Sequence, residues 1–397
     1  MIRSDDKKQR IREELLAEMD FTRDFSDEEL YSLIDEKIRR MAEEEYISLE
    51  NRRRIRTDVF CGLRKLDILE ELLRDKTVTE IMVNGTENIF IERGGGLEHW
   101  DNSFESEEKL ENIVQQIVSK CNRVVNESSP IVDARLSDGS RVNVVLKPIA
   151  LNGPILTIRK FPEKPFDMEG LIGVGALSEE MAAFLKKLVK AKYNILISGG
   201  TGSGKTTFLN ALSGFIPKDQ RVITIEDSAE LQIQSVSNLV RLECRNANTE
   251  GCAEVNMRDL IRSALRMRPD RVVVGEVRGA EVIDMLQAMS TGHDGSLSTA
   301  HANTAADMLI RLETMYLMGL ELPVAAIRQQ ILSAVDVIVH LGRLRDKSRK
   351  VLEIAELDGF EDGRIKLRTL YKFDYAKGRC EKLEDLKYVE KILAAGL

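Results

Sequence analysis

The chain has 397 residues, 43% of them hydrophobic and 31% charged, and its 58 basic and 66 acidic side chains leave a net charge of −8. That length predicts two or three domains rather than one core, and the acidic balance argues against nucleic acid as the main partner. No apolar run approaches the roughly 18 residues that would cross a bilayer. The start, Met1-Ile-Arg-Ser-Asp-Asp, lacks the apolar centre of a signal peptide. The cysteines (Cys61, Cys121, Cys244, Cys252, Cys380) are scattered without a C-x-x-C pair, so reduced thiols are expected rather than disulfides or a zinc site.

In chain order, residues 1–64 read as a charged helical extension. Ser26-Asp-Glu-Glu29 fits a capping box, and Leu30, Leu33, Ile34, Ile38 and Met41 follow as one apolar stripe. A small bundle and a mobile docking arm both satisfy this pattern. Residues 65–162 read as an α+β domain. Strands at 78–83 and 88–92 flank an Asn84-Gly85 turn, and Gly94-Gly-Gly96 makes another turn. Leu110, Ile113, Val114, Ile117 and Val118 mark an amphipathic helix, and strands follow at 141–146 and 155–159. Pro162 and Pro165 suit a linker.

From 163 to 345 apolar strands (193–197, 222–225, 271–274) alternate with helices (257–267, 280–290, 304–318), the pattern of a doubly wound α/β sheet. Residues 346–397 are expected to finish a hairpin around a basic turn, with strands at 335–341 and 350–355, and to end in a helical tail.

Within this α/β stretch, Gly199-Gly200-Thr201-Gly202-Ser203-Gly204-Lys205-Thr206 fits the phosphate-loop template G-x-x-x-x-G-K-[ST]. An apolar strand precedes it, and Thr206-Thr207 opens a helix closed by Gly214. This is the order an anion site requires: backbone N–H groups around the β-phosphate, Lys205 at the β/γ oxygens, and the Thr206 hydroxyl on Mg²⁺. A nucleoside triphosphate is the expected ligand.

Three further clusters fall where such a site needs them. The strand 221–225 ends in Glu226-Asp-Ser-Ala-Glu230, whose carboxylates would point into the ligand crevice and orient or deprotonate water. The strand 271–274 ends in Gly275-Glu276; glycine occupies the slot where an Asp usually serves the metal, so Glu276 is expected to act through water on the metal or on the nucleophile. Ser290 to His301 holds two histidines and an acid without zinc spacing. His301 suits contact with the γ-phosphate, and a satisfied buried histidine competes with that reading. Cations for the developing charge could come from Arg141, Arg159, Arg241 or Arg245.

These motifs together resemble the secretion ATPases of type II and type IV systems, which carry a glycine loop, an Asp box, a Walker B ending in Gly-Glu and a His box in this order. The likeness spans about residues 65–345 and is nearest to the CpaF-type ATPases of Tad (Flp) pilus machines. It rests also on Val78-Thr-Glu-Ile-Met-Val-Asn-Gly85, Ser137-Asp-Gly-Ser-Arg-Val-Asn143, Leu156-Thr-Ile-Arg-Lys-Phe161, Met267-Arg-Pro-Asp-Arg271, Val274-Gly-Glu-Val-Arg278 and Thr291-Gly-His-Asp-Gly295. The resemblance implies a RecA-like ATPase domain binding ATP and Mg²⁺ between the two domains of each subunit, in a hexameric ring. It makes Glu230 and Glu276 catalytic, and Arg141 and Arg159 phosphate-sensing. It also implies a cytoplasmic, peripheral protein that drives pilin extraction through an inner-membrane platform protein. Two other functions compete with this one: a RecA-like nucleic-acid motor, against which the acidity and sparse aromatics count, and a nucleotide-binding scaffold without turnover.

Overall fold

The computed structural model of the chain describes residues 10–11, 14–15, 27–44, 46–64, 66, 68–121, 123–136, 138–161, 165–245 and 253–397. They fall into two units, Met1–Pro162 and Glu163–Leu397. Ser26 of the expected capping box and Pro162 of the expected linker lie outside the described residues.

In the first unit, helices α1 (Asp27–Glu44) and α2 (Leu49–Arg64) bury Leu30, Ile34, Ile38 and Met41 with Ile55, Val59 and Phe60 in a small core that Ile11, Leu15 and Ile47 complete. The stripe is therefore used for packing, and Leu33 sits at its margin. A short helix α3 (Leu69–Arg74) leads into β1 (Val78–Asn84), β2 (Asn88–Arg93) and β3 (Gly96–Trp100). Helix α4 (Glu107–Lys120) follows, then β4 (Ile131–Arg135), β5 (Arg141–Val145) and β6 (Ile155–Arg159). The six strands form one antiparallel sheet in the order β3-β2-β1-β6-β5-β4. Strand alternation sends Ile81, Val83, Ile89, Ile91, Val142, Val144, Leu156 and Ile158 to one face, where the five predicted apolar residues of α4 cover them. Helix α4 starts where Ser106 Oγ accepts the N–H of Lys109, with Glu107 and Glu108 at the positive end of its dipole. Strands β3 and β4 go beyond the expected elements; both are only five residues long and carry no sustained apolar alternation.

The second unit holds a nine-stranded sheet in the order β15-β14-β13-β12-β7-β11-β10-β8-β9. Its parallel part is β7 (Ile195–Gly199), β8 (Arg221–Glu226), β9 (Asn238–Glu243), β10 (Arg271–Val274), β11 (Leu297–His301) and β12 (Val337–Arg343). Helices cover both faces. On one side α5 (Met168–Gly173), α6 (Glu179–Lys190) and α7 (Lys205–Ser213) pack on Ile195, Ile197 and Val273. On the other, α8 (Met257–Ala264), α9 (Val282–Ser290), α10 (Ala305–Leu317) and α11 (Val324–Ala334) pack on Leu196, Ile223, Val272 and Val274. Strands buried on both faces are continuous apolar runs, which is why they stood out in the sequence.

The C-terminal segment departs from expectation. Strands β13 (Arg349–Glu361), β14 (Arg364–Asp374) and β15 (Arg379–Lys382) continue the sheet antiparallel from β12, so no break follows residue 345. The expected helical tail reduces to α12 (Glu390–Ala394). Long antiparallel strands with one wet face set charged and apolar residues in alternation, as in Arg364-Ile-Lys-Leu-Arg368. That alternation is a strand signal, and the expected helical tail passed over it.

Candidate active site

Strands β8, β10, β11 and β7 are parallel neighbours, and the crevice beyond the carboxyl ends of such strands is where open α/β sheets hold ligands. Each delivers an expected residue there. Strand β7 ends at Gly199 and opens into loop 200–204, which becomes α7 with Gly204 as N-cap at φ +91°. No side chain caps this helix, so its first N–H groups face outward for an anion. Lys205 folds back over the loop. Its Nζ donates to the carbonyls of Gly199 and Gly200, both at 3.1 Å, and lies 3.3 and 3.4 Å from the ring nitrogens of His301. Thr206 and Thr207 follow in the same turn. The buried Ser203 hydroxyl has no hydrogen-bond partner among the described residues.

His301 and Glu276 close a chain of contacts: Nε2 of His301 stands 2.8 Å from Oε1 of Glu276. The other carboxylate oxygen of Glu276 accepts from Arg278 at 2.7 Å (Nε) and 2.6 Å (Nη2). Burial, assisted by the charge of Arg278, lowers the Lys205 pKa from its ordinary value, while Glu276 opposes the shift. Burial also holds His301 below the usual imidazole value; Lys205, Arg278 and Arg311 push the same way, and Glu276 resists. Both shifts run toward the uncharged form. Arg278 was noticed only inside a motif; its hold on Glu276 across two residues is a geometric fact that spacing alone does not reveal.

Glu226 is buried, and its Oε2 accepts the N–H groups of Glu230 (2.7 Å) and Leu231 (2.9 Å). Burial pushes its carboxyl pKa up, against the two hydrogen bonds and the charge of Arg241. Its Oε1 has no partner among the described residues. Glu226 thus shapes the turn that presents Glu230. It also accounts for the glycine in the Walker B slot: a Cβ at Gly275 would stand 2.9 Å from Cγ of Glu226.

The remaining candidates are all arginines. Arg241 stands on β9 level with Thr224 of β8. The exposed Arg245 donates through Nη2 to the Ala253 carbonyl at 3.1 Å. Arg141 and Arg159 belong to the first unit, where they pair directly across β5 and β6. Arg135 of β4 pairs with Arg141, and Glu80 of β1 with Arg159. Three arginines therefore form one cross-strand row, and Arg135 joins the two that were expected. Like charges directly opposite destabilise a sheet, and Glu80, next in the row, sets a negative charge against Arg159.

The acid in the His cluster has another use. Asp294 and Asp336 both accept from Lys391 Nζ of α12, at 3.0 and 2.7 Å. Among the described residues, no three His, Cys, Asp or Glu side chains group to hold a metal ion by themselves. No described helix is long and apolar enough to cross a membrane.

Known proteins resemble this chain in sequence and in fold. A protein of Mycobacterium tuberculosis provisionally named for conjugal transfer is 37% identical over 331 residues, covering 80% of this chain and 93% of the relative. The type IV secretion system protein PtlH of Bordetella pertussis is 33% identical over 321 residues, covering 74% and 94%. Among solved structures, the Legionella pneumophila ATPase DotB matches with a TM-score of 0.53 at 22% identity, over 73% of this chain and 80% of that one. The pilus retraction motor PilT matches with a TM-score of 0.52 at 18% identity, over 81% and 83%. These two structures bear on the fold, a RecA-like domain preceded by an N-terminal domain. The family described as type II/IV secretion system protein matches residues 63–387, and with these relatives it shows that the chain belongs to the family of type II/IV secretion system proteins.

Proposed function

We propose that this protein is the ATP-hydrolysing motor subunit of a secretion or pilus-assembly machine, of the CpaF type that serves Tad pili. The observation that carries this reading is the chain Lys205–His301–Glu276 at the mouth of the glycine loop. It joins a phosphate cation, a neutral imidazole and a carboxylate, each from a different strand end or loop.

In this reading the N–H groups of residues 202–204 and the start of α7 cradle the phosphates, and Lys205 leaves the loop carbonyls for the β/γ oxygens. Water attacks the γ-phosphorus in line, the bond to the bridging oxygen breaks, and the proton from water passes to a carboxylate. Glu276 and Glu230 orient that water, and Glu226 holds the turn bearing Glu230. Neutral His301 hydrogen-bonds the γ-phosphate, and the arginine row at 141 and 159 supplies cations to the transferring group. Arg241 sets a positive charge against Glu226 of the Asp box, and Arg245 holds the Ala253 carbonyl. The donor set suits Mg²⁺: the Thr206 hydroxyl stands in the first turn of α7, and Glu276 presents a carboxylate that is only partly exposed. When bound there, the ion neutralises phosphate charge.

A homo-hexamer at the cytoplasmic face of the inner membrane, acting on a platform protein, completes the proposal. It is supported by the relatives named for type IV secretion and conjugal transfer. The test is Mg²⁺-dependent ATP turnover per subunit, measured across protein concentration. Turnover is expected to rise as subunits assemble and to vanish in Lys205→Ala with the fold retained. Normal turnover in that variant would overturn the scheme.

A further inference from the structure

The crevice at the strand ends has a flank that the motif residues leave unused. Strand β12 runs parallel to β7 with Leu341 opposite Gly199, so Arg343, two residues further on, emerges level with the glycine loop. The chain turns and returns as β13, with Arg349 paired to Arg343. Nε of Arg349 donates to the Gly202 carbonyl at 3.0 Å. Its Cδ would stand 3.3 Å from a Cβ on Gly204, and Nη1 of Arg343 would stand 3.8 Å from one on Gly202. The hairpin is braced. Leu344 N–H closes its turn on the Ser348 carbonyl at 2.8 Å, and the next two residues of β13, Lys350 and Val351, donate to the carbonyls of Gly175 and Ala176 at 2.5 and 2.9 Å. A fixed guanidinium on a carbonyl polarises the peptide, strengthening the N–H at its other end. That N–H belongs to Ser203, and its present bond to the Gly200 carbonyl is a long 3.3 Å.

We propose that Arg349 is a positioning residue for the nucleotide. It holds the Gly202–Ser203 peptide of the phosphate loop, and Arg343 beside it adds positive charge on the same flank for an anionic polyphosphate. The proposal rests on the reading of the loop as an ATP site. It makes the antiparallel half of the sheet part of the nucleotide-binding machinery.

The test compares Arg349→Ala, Arg349→Met and Arg345→Ala in the full-length protein, by MgADP titration and by steady-state ATP turnover. Methionine keeps the aliphatic stem against Gly204 and removes the donor. Arg345 is an exposed cation of the same turn, so its loss controls for net charge. Both Arg349 variants are expected to raise the MgADP Kd and the ATP KM about tenfold with kcat within about twofold, the size expected for one lost charged hydrogen bond. Arg345→Ala is expected to leave all three values unchanged. Should the alanine variant melt earlier without nucleotide, the methionine variant decides. Wild-type KM in Arg349→Met, or an equal rise in Arg345→Ala, would overturn the proposal. Failure of the unmodified protein to bind MgADP would instead overturn the ATP reading beneath it.

Discussion

Gly275→Ala tests the packing of the candidate catalytic turn. Gly275 is not among the glycines with positive φ, so alanine meets no backbone penalty there and the whole effect comes from its Cβ. That atom would stand 2.9 Å from Cγ and 3.5 Å from Cβ of Glu226. Glu226 cannot retreat freely, because its Oε2 holds the N–H groups of Glu230 and Leu231. Overpacking at such a site costs about 1–3 kcal/mol, and here the strain should appear as loosening of those two hydrogen bonds. At about 1.4 kcal/mol per decade, their amides should exchange with solvent roughly 5- to 150-fold faster. Hydrogen exchange read by mass spectrometry on a peptide spanning 228–233 measures this, and ATP turnover should fall with it. In a Glu226→Ala background the bonds are already gone, so adding Gly275→Ala should change exchange no further. Exchange within about twofold of the unmodified protein in Gly275→Ala, or an equal additional effect in the Glu226→Ala background, would refute the reasoning.

Three further outcomes are expected. Asp284 is buried between Arg258 and Arg262, at 2.7 and 2.8 Å, and both arginines reach solvent. Replacing both by Met strands a buried carboxylate and should cost about 3–5 kcal/mol, whereas Asp284→Asn should cost clearly less; equal losses of melting temperature would count against this. His301 has a folded pKa below the ordinary 6.5, so the stability tied to its neutral form is complete above that value and is lost as pH falls through the lowered one. His301→Gln should therefore flatten the melting temperature between pH 8 and 5, and curves parallel to the unmodified protein's would contradict it. Arg141→Gln removes one cation of the arginine row. Turnover should fall about 10³-fold if this arginine serves the γ-phosphate, and normal turnover would remove it from the mechanism.

The glycine loop and the acids of β8 and β10 were legible because strand, glycine loop and helix are contiguous, and doubly buried strands are unbroken apolar runs. What stayed hidden is what the fold brings together from afar. Arg349 meets Gly202 from 147 positions away, and Lys391 reaches Asp294 from 97. The glycine at 275 was visible as an oddity, and only the placement of Glu226 gives its cause. The His cluster looked like one site; the fold sends His301 to Lys205 and commits Asp294 to the C-terminal helix. Strand β14 was legible in principle, since Arg364, Lys366 and Arg368 alternate with Ile365 and Leu367 as on a half-exposed strand, whereas the four-residue β15 carries too short a pattern to signal.

The continuity of the sheet past residue 345 bears on how this protein can be trimmed. A chain cut there would strip β13 from β12 and leave the run Val337–Leu341, five buried residues, as a bare edge. Unpaired N–H and C=O groups along such an apolar strand recruit other strands. A fragment ending at the apparent limit of the ATPase motifs should therefore aggregate, and a soluble one should need to run through β15.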